Sequence, residues 1–147
     1  MLEINLLPSK NKYHLLLLAK RARNNIAFAT MPRHFQDVLN LNIQANYDLL
    51  IYVANWPKKR IKAWDTLLRA RAIENMSYCL GVNRVGNDGN KNSYPGHTTF
   101  FNYLGDKVAS SIEDKNNIIS FNFKKDEMMS TRKELKFLDD IIDFKFQ

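Results

Sequence analysis

Few residues of this chain could do covalent chemistry. Its 147 residues include one cysteine, Cys79, which stands among apolar neighbours in the stretch MSYCLGV. A reactive thiolate needs an electropositive and partly open site, whereas a buried cysteine behaves as a small hydrophobic residue. The surroundings therefore predict a structural role for Cys79, and they leave the chain without an evident nucleophile.

His97, in PGHTT, is the next candidate for chemistry. No other histidine or cysteine stands near it at a spacing typical of a metal site. We therefore expect no metal, and we expect no other cofactor. His97 is predicted to be a structural histidine of a loop, and the alternative is that it neighbours a ligand pocket.

Asn55 and Trp56 are the candidate pocket residues. They lie at the end of the apolar stretch YDLLIYVANW, and ligands of α/β proteins bind beyond the carboxyl ends of strands. The structural alternative is that Trp56 covers the core and that Asn55 hydrogen-bonds within the turn before Pro57. The sequence leaves both interpretations open.

A third group of candidates, Arg71, Glu74 and Asn75, lies in the stretch RARAIEN. Residues three apart lie on the same face of a helix. We therefore expect Arg71 and Glu74 to form an ordinary ion pair on the helix surface.

The elements that would position these residues predict an α/β fold. Residues 47–55 form a near-continuous apolar run, which is typical of a strand covered on both faces. Residues 60–76 carry apolar side chains at helical spacing. The remaining patterns predict a loop over 86–96, a helix over 124–135, and strands over 77–85, 97–103, 107–112 and 117–123.

Residues 1–46 have a different character from residues 47–147, and we divide the chain there. The stretches KYHLLLLAKRARNN and HFQDVLNLNIQ are compatible with short amphipathic helices, with no strand before them. This segment holds six basic and two acidic residues, so it carries +4 of the formal net charge of +7.

Composition excludes several classes of protein. The +3 of residues 47–147 comes from sixteen basic and thirteen acidic residues, without the basic face interleaved with aromatic residues that nucleic-acid binders show. Nucleic-acid binding is therefore the weakest hypothesis. No apolar run reaches membrane-spanning length. A single cysteine precludes an internal disulfide and fits a reducing compartment, so we expect a cytoplasmic protein.

Several blocks of residues 47–140 resemble the carbon–nitrogen hydrolase (nitrilase) family, and within it the ω-amidase-like branch. They are YDLLIYVANWPKKRIKAWDTLLRARAIENMSYCLGVNRVG, DGN, GHTTFFNYLG and TRKELKFLDD, in the family's order. The resemblance implies the C-terminal half of a nitrilase-type α-β-β-α sandwich. It implies that PKKR, residues 57–60, is a turn and the start of a helix. It also implies that Asn55 and Trp56 lie in the wall of a substrate pocket. It also implies that the helix carrying Arg71, Glu74 and Asn75 lies behind the active site or at a subunit interface.

The resemblance implies a chemistry that this chain cannot complete. In the family, a cysteine attacks an amide or nitrile carbon, a glutamate acts as general base and a lysine stabilises the oxyanion. Substrates of the ω-amidase branch are amides of dicarboxylic or α-keto acids, such as α-ketoglutaramate. The family's nucleophile block precedes the YDLLIYVANWP strand, where this chain has IAFATMPRHFQ and no cysteine. No catalytic residue can be assigned.

One hypothesis explains the missing nucleophile at the level of the gene. Back-translation of three stretches, Met1–Ile4, Leu16–Lys20 and Ala27–Met31, can give fragments of family blocks when each is shifted by the same two bases. Residues 1 to about 31 would then be an out-of-frame translation. The alternative is a diverged N-terminus on a short homologue. The chain would be either a non-catalytic remnant or a binding module that forms a homo-oligomer or joins a complementing subunit.

Overall fold

The computed structural model describes residues 3–7, 14–18, 26–30 and 47–140, which include nine strands and two α-helices. None of the helices in these ranges is long and apolar enough to cross a membrane. The strands are β1 (Glu3–Leu7), β2 (His14–Leu18), β3 (Ile26–Thr30), β4 (Leu49–Ala54), β5 (Tyr78–Asn83), β6 (Val85–Asn87), β7 (Ser93–Pro95), β8 (Thr99–Phe101) and β9 (Lys107–Ser110). The helices are α1 (Ile61–Glu74) and α2 (Lys125–Leu135), and short 3₁₀ turns cover Lys58–Arg60 and Phe137–Asp140.

Five strands form the central sheet in the order β3-β4-β5-β8-β9. Strands β3, β4 and β5 are parallel, while β8 is antiparallel to β5 and β9 is antiparallel to β8. Parallel strands need a crossover, and α1 provides the one between β4 and β5. The predicted α/β class is therefore correct.

The interpretation of residues 1–46 needs correction. Residues 14–18, inside the first predicted helix, form strand β2, which pairs antiparallel with β1. Four consecutive leucines at 15–18 fit a strand as well as a helix, and only the partner strand decides between them. Strand β3 joins the central sheet beside β4. The second predicted helix, HFQDVLNLNIQ, lies outside the described residues.

The two faces of the sheet build two apolar clusters, because successive side chains of a strand point to opposite faces. On one face, Leu50, Tyr52 and Cys79 belong to a buried cluster with Trp64 and Leu68 of α1. On the other face, a second cluster contains Met128 of α2 with strand residues that include Leu49, Ile51, Leu80 and Phe100. Helices α1 and α2 therefore pack on opposite faces.

Helix α1 approaches β5 closely at Gly81. A Cβ atom built on Gly81 would lie 2.2 Å from Leu68 Cδ1 and 2.5 Å from Trp64 Cζ2. Both neighbouring side chains are fully buried. Glycine at this position therefore sets the distance between the helix and the sheet.

Two predictions in the second half of the chain differ from the structure. Residues 117–123 were expected to form a strand, but they have no ladder partner among the described residues. Their alternating pattern still has a cause, because Ile119, Phe121 and Phe123 pack against the second cluster. The predicted loop 86–96 also contains regular secondary structure, because β6 and β7 form a small antiparallel pair.

Helix α2 is fastened to the start of β4 by buried charges. Asp48, which is 2% exposed, contacts Lys125 Nζ at 2.7 Å and Arg132 Nη1 at 3.4 Å. Arg132 also donates to the carbonyl oxygens of Tyr47 and Met76, each at 2.8 Å. Burial lowers the pKa of Arg132, against the opposing effect of Asp48. These contacts lie at the amino ends of β4 and β5.

Replacing Gly81 with alanine tests the contact between helix and sheet. The added methyl group would meet Leu68 and Trp64, so we expect the free energy of unfolding to fall by about 1–3 kcal/mol, the usual cost of overpacking. Urea denaturation measures this change. Gly89→Ala is the matched control, because nothing lies within 4 Å of a Cβ there. Equal stability of the two variants would contradict the proposed role of Gly81.

Candidate functional site

The candidate site lies at the edge of the sheet where β3, β4 and β5 end. Strand register pairs Thr30 with Val53 and Ala54 with Asn83, so the carboxyl ends of three parallel strands meet there. Asn55 and Trp56 follow β4 directly. The structure therefore places both predicted pocket residues at the edge where α/β folds hold ligands.

The Trp56 side chain is largely buried and packs in the core. It is 7% exposed and belongs to the cluster under α1. Its indole Nε1 donates to the carbonyl oxygen of Arg60 at 2.7 Å, and the Arg60 guanidinium lies 4.6 Å from the ring centroid. The ring centroids of Trp56 and Trp64 are 5.5 Å apart. Asn55, in contrast, is exposed to solvent.

The carboxamide of Asn83 binds the main chain of Trp56. Asn83 Oδ1 accepts a hydrogen bond from the Trp56 N–H at 2.7 Å, and Nδ2 donates to the Trp56 carbonyl oxygen at 2.9 Å. Asn83 is 6% exposed. Sequence analysis missed this residue, because it counted Asn83 as one more position of a predicted strand.

The hydrogen bonds continue from Asn83 to the start of β8 and the end of β9. The Asn83 N–H donates to Thr98 Oγ1 at 3.2 Å. The Thr98 N–H donates to Ser111 Oγ at 2.9 Å, and the Ser111 N–H donates to the Thr98 carbonyl oxygen at 2.8 Å. Polar groups of four segments are therefore connected along one edge of the sheet.

His97 joins α1 to the segment after β9. Its Nε2 lies 2.9 Å from Asp65 Oδ2, and its Nδ1 lies 2.9 Å from Glu113 Oε1. Lys107 Nζ also donates to Asp65 Oδ2, at 3.0 Å. Burial raises the pKa of Asp65, but hydrogen bonds from His97 and Lys107 outweigh it and hold that pKa below its ordinary value. Both ring nitrogens are thus occupied, which favours the structural role predicted for His97.

The loop between β6 and β7, which contains the DGN block, is organised around Asp88. Its carboxylate accepts hydrogen bonds from the Asn90 and Asn92 N–H groups, each at 2.9 Å, and from the Asn92 side chain and the Tyr94 hydroxyl. These bonds, above all those from Asn92, lower the pKa of Asp88 to about 2. The loop therefore holds its shape through neutral donors.

The group on α1 is placed differently from its sequence prediction. Arg71 and Glu74 do form the ion pair, but Arg71 is 8% exposed, so this is not an ordinary surface pair. Asn75 is buried at the end of α1, where its Nδ2 donates to the Arg71 carbonyl oxygen at 2.8 Å. These contacts are all local to the helix.

Cys79 is fully buried in β5 beneath α1. Burial raises the pKa of its thiol, against a smaller opposite effect of Arg71. The predicted structural role of Cys79 is confirmed. Among the residues that the structure describes, no group of three histidine, cysteine or acidic side chains could hold a metal ion. At this edge the amide and hydroxyl groups of Asn83 and Thr98 are buried and bonded within the protein, Asn55 is exposed, and the Cys79 thiol is not accessible.

A family model described as carbon-nitrogen hydrolase matches residues 26–133. The match begins with β3, upstream of the blocks that start at Tyr47. An omega-amidase of Yersinia enterocolitica, YafV, is 54% identical over 68 residues, which are 46% of this chain and 27% of that protein. A Staphylococcus aureus protein called hydrolase in agr operon is 33% identical over 101 residues, which are 69% of this chain and 38% of that protein.

The fold also resembles solved structures. XC1258 of Xanthomonas campestris, described as a CN-hydrolase superfamily protein with an arsenic adduct in its active site, has a TM-score of 0.70 and 26% identity. The alignment covers 99% of this chain and 52% of that one. The chain thus spans well under two thirds of the length of these relatives, and its fold is a partial nitrilase-type α/β domain.

The thiol of Cys79 should be inert in the folded protein. Because burial raises its pKa and excludes reagent, we expect a disulfide reagent such as Ellman's to label native protein far more slowly than protein unfolded in urea. Absorbance at neutral pH measures the reaction. Rapid stoichiometric labelling without denaturant would show that Cys79 is accessible, and the Cys79→Ala variant gives the background.

The Asp65 cluster predicts a defined pH dependence. A carboxyl group whose pKa is lowered by folding stabilises the native state above its ordinary pKa of 3.8, and this contribution disappears as the pH falls through the folded value. Urea unfolding from neutral pH to below 3.8 should therefore show a steeper loss of stability for the parent chain than for Asp65→Asn. Asp114→Asn removes an exposed carboxylate that pairs with Lys58 at the surface, and it is the control for an ordinary surface ion pair. Equal slopes for Asp65→Asn and the parent chain would refute the assignment.

Proposed function

Because the chain belongs to the carbon–nitrogen hydrolase family, we propose that it is the C-terminal part of an ω-amidase-type hydrolase and is inactive alone. The observation that carries this proposal is the position of the cysteine. Its sole cysteine, Cys79, is buried in β5, whereas the family's nucleophile is expected after the strand that precedes β4. That strand corresponds to β3, whose surroundings read IAFATMPRHFQ.

The relatives support a substrate class for the intact enzyme. The 54% identity with an omega-amidase supports amides of dicarboxylic or α-keto acids as substrates. In such an enzyme, the base would take the thiol proton as the sulfur attacks the amide carbon and would give it to the amide nitrogen, which leaves as ammonia; water would then hydrolyse the thioester to the acid. This chain would contribute the edge of the pocket through Asn55 and the loops beside it. A cytoplasmic location, suggested by the single cysteine, belongs to the same proposal.

A direct assay tests this proposal. The purified chain is incubated with 2-oxoglutaramate and ammonia is measured. We expect no release above buffer, because no thiolate is available to attack the amide. Turnover by the chain would overturn the proposal. Loss of that turnover in Cys79→Ala would identify an unexpected nucleophile, and its persistence would indicate different chemistry.

The origin of the chain is tested at the level of DNA. We propose that residues 1 to about 31 are translated out of frame. Sequencing codons 1–50 and the upstream region should reveal the glutamate, lysine and cysteine blocks in another frame, and a repaired gene should then hydrolyse 2-oxoglutaramate. Stop codons throughout that frame would refute this origin.

A second candidate is an assembly module. Ile112, Ile118 and Phe137 are each more than half exposed (59%, 52% and 56%), and exposed apolar side chains mark contacts with another chain where they join in one contiguous patch. They favour a homo-oligomer or a complex with a complementing subunit. Size-exclusion chromatography with light scattering distinguishes an assembly of defined mass from a monomer or from indefinite aggregation.

A further inference from the structure

Beyond the last main-chain pair of β4 and β5, a side chain continues the hydrogen bonding between the two strands. The last paired residues are Ala54 and Asn83. Two residues beyond Ala54, the Trp56 main chain is paired again, this time by the Asn83 side chain at 2.7 and 2.9 Å. A carboxamide carries an acceptor oxygen beside a donor NH₂ group, so it can bind an N–H and a C=O together as a neighbouring strand would.

This pairing holds Asn55 between two fixed points. Ala54 is fixed by the ladder and Trp56 by the carboxamide, so the backbone dihedral angles of Asn55 have little freedom. Asn55 is nevertheless exposed, which is what a residue that contacts a ligand requires. The hydrogen bonds between Asn83 and the Trp56 main chain are buried. Breaking them would leave polar groups unsatisfied where water is absent, which costs the most free energy.

The position of Asn83 is itself fixed from the opposite side. Its main-chain N–H donates to Thr98 Oγ1, and Thr98 is tied to Ser111. Thr98 is 5% exposed, and its bond with the Asn83 N–H is buried, while its bond with Ser111 is partly buried. Asn83 therefore lies at the centre of the hydrogen bonds that join the ends of β4 and β5 to the start of β8.

We propose that Asn83 is the positioning residue of this edge: its carboxamide clamps the Trp56 main chain and thereby presents Asn55 to the amide substrate. The substrate part of this inference rests on the proposed function. The clamp itself is a property of the folded chain, and it is tested without substrate. The two can therefore fail independently.

Amide hydrogen exchange of the full chain, observed by NMR, tests the clamp. In Asn83→Ala the Trp56 amide loses its acceptor, and we expect its exchange to accelerate about tenfold, which is the upper range for one buried hydrogen bond. The Ile51 amide within β4 is the internal reference for global stability, and the Asn55 amide resonance should shift. Equal acceleration of the Trp56 and Ile51 amides would mean that Asn83 acts only on overall stability, and would overturn the proposal.

The Asn83→Asp variant should show a pH-dependent shift of amide resonances that a change in overall stability would not produce. An ionised carboxylate can accept from the Trp56 N–H but repels the Trp56 carbonyl oxygen, while a protonated carboxyl group can donate to it. The Trp56 and Asn55 amide resonances should therefore return towards their parent positions as the pH falls, with a midpoint above the ordinary aspartate pKa of about 3.9. Asn90→Asp, in the exposed loop, controls for the added charge. A Trp56 resonance that titrates as in the parent chain would refute the clamp.

Discussion

The contact between α1 and β5 at Gly81 is the constraint on which the other features depend. Trp64 and Leu68 occupy the space that a side chain at 81 would fill. The helix therefore lies close against the sheet, so that it can connect β4 and β5 as parallel neighbours. Once these strands are parallel, their carboxyl ends must meet at one edge. The same helix brings Asp65 within reach of His97 and Lys107.

The two ends of the sheet are stabilised by different interactions. At the amino ends of β4 and β5, buried charge dominates: Asp48 faces Lys125 and Arg132, and Arg132 also binds two carbonyl oxygens. At the carboxyl ends, neutral carboxamide and hydroxyl groups connect the strands. The ion pairs of Asp48 with Lys125 and Arg132 hold α2 at the amino ends, away from the carboxyl edge.

No cysteine stands where the resemblance places the nucleophile. By the resemblance, the residues that would attack the substrate belong in the block that precedes β4 and further upstream. Strand β3 ends beside β4 in register, so a nucleophile carried there would reach the same edge as Asn55.

The sequence by itself determined the elements whose patterns are long and local. The apolar run that forms β4, the helical spacing of α1, the β8–β9 hairpin and the charged turns of α2 were all predictable, because side-chain periodicity follows from backbone geometry. The ordered blocks also identified the family. The burial of Cys79 followed from its apolar neighbours.

Only the tertiary structure decided the features that depend on a distant partner. Residues 14–18 form a strand because β1 pairs with them, and residues 117–123 lack a ladder because none of the described strands pairs with them. The clamp of Asn83 on Trp56 joins residues 27 apart in sequence, and Arg132 reaches Tyr47 across 85. Periodicity carries no information about such contacts, since they arise only when strands align and loops meet.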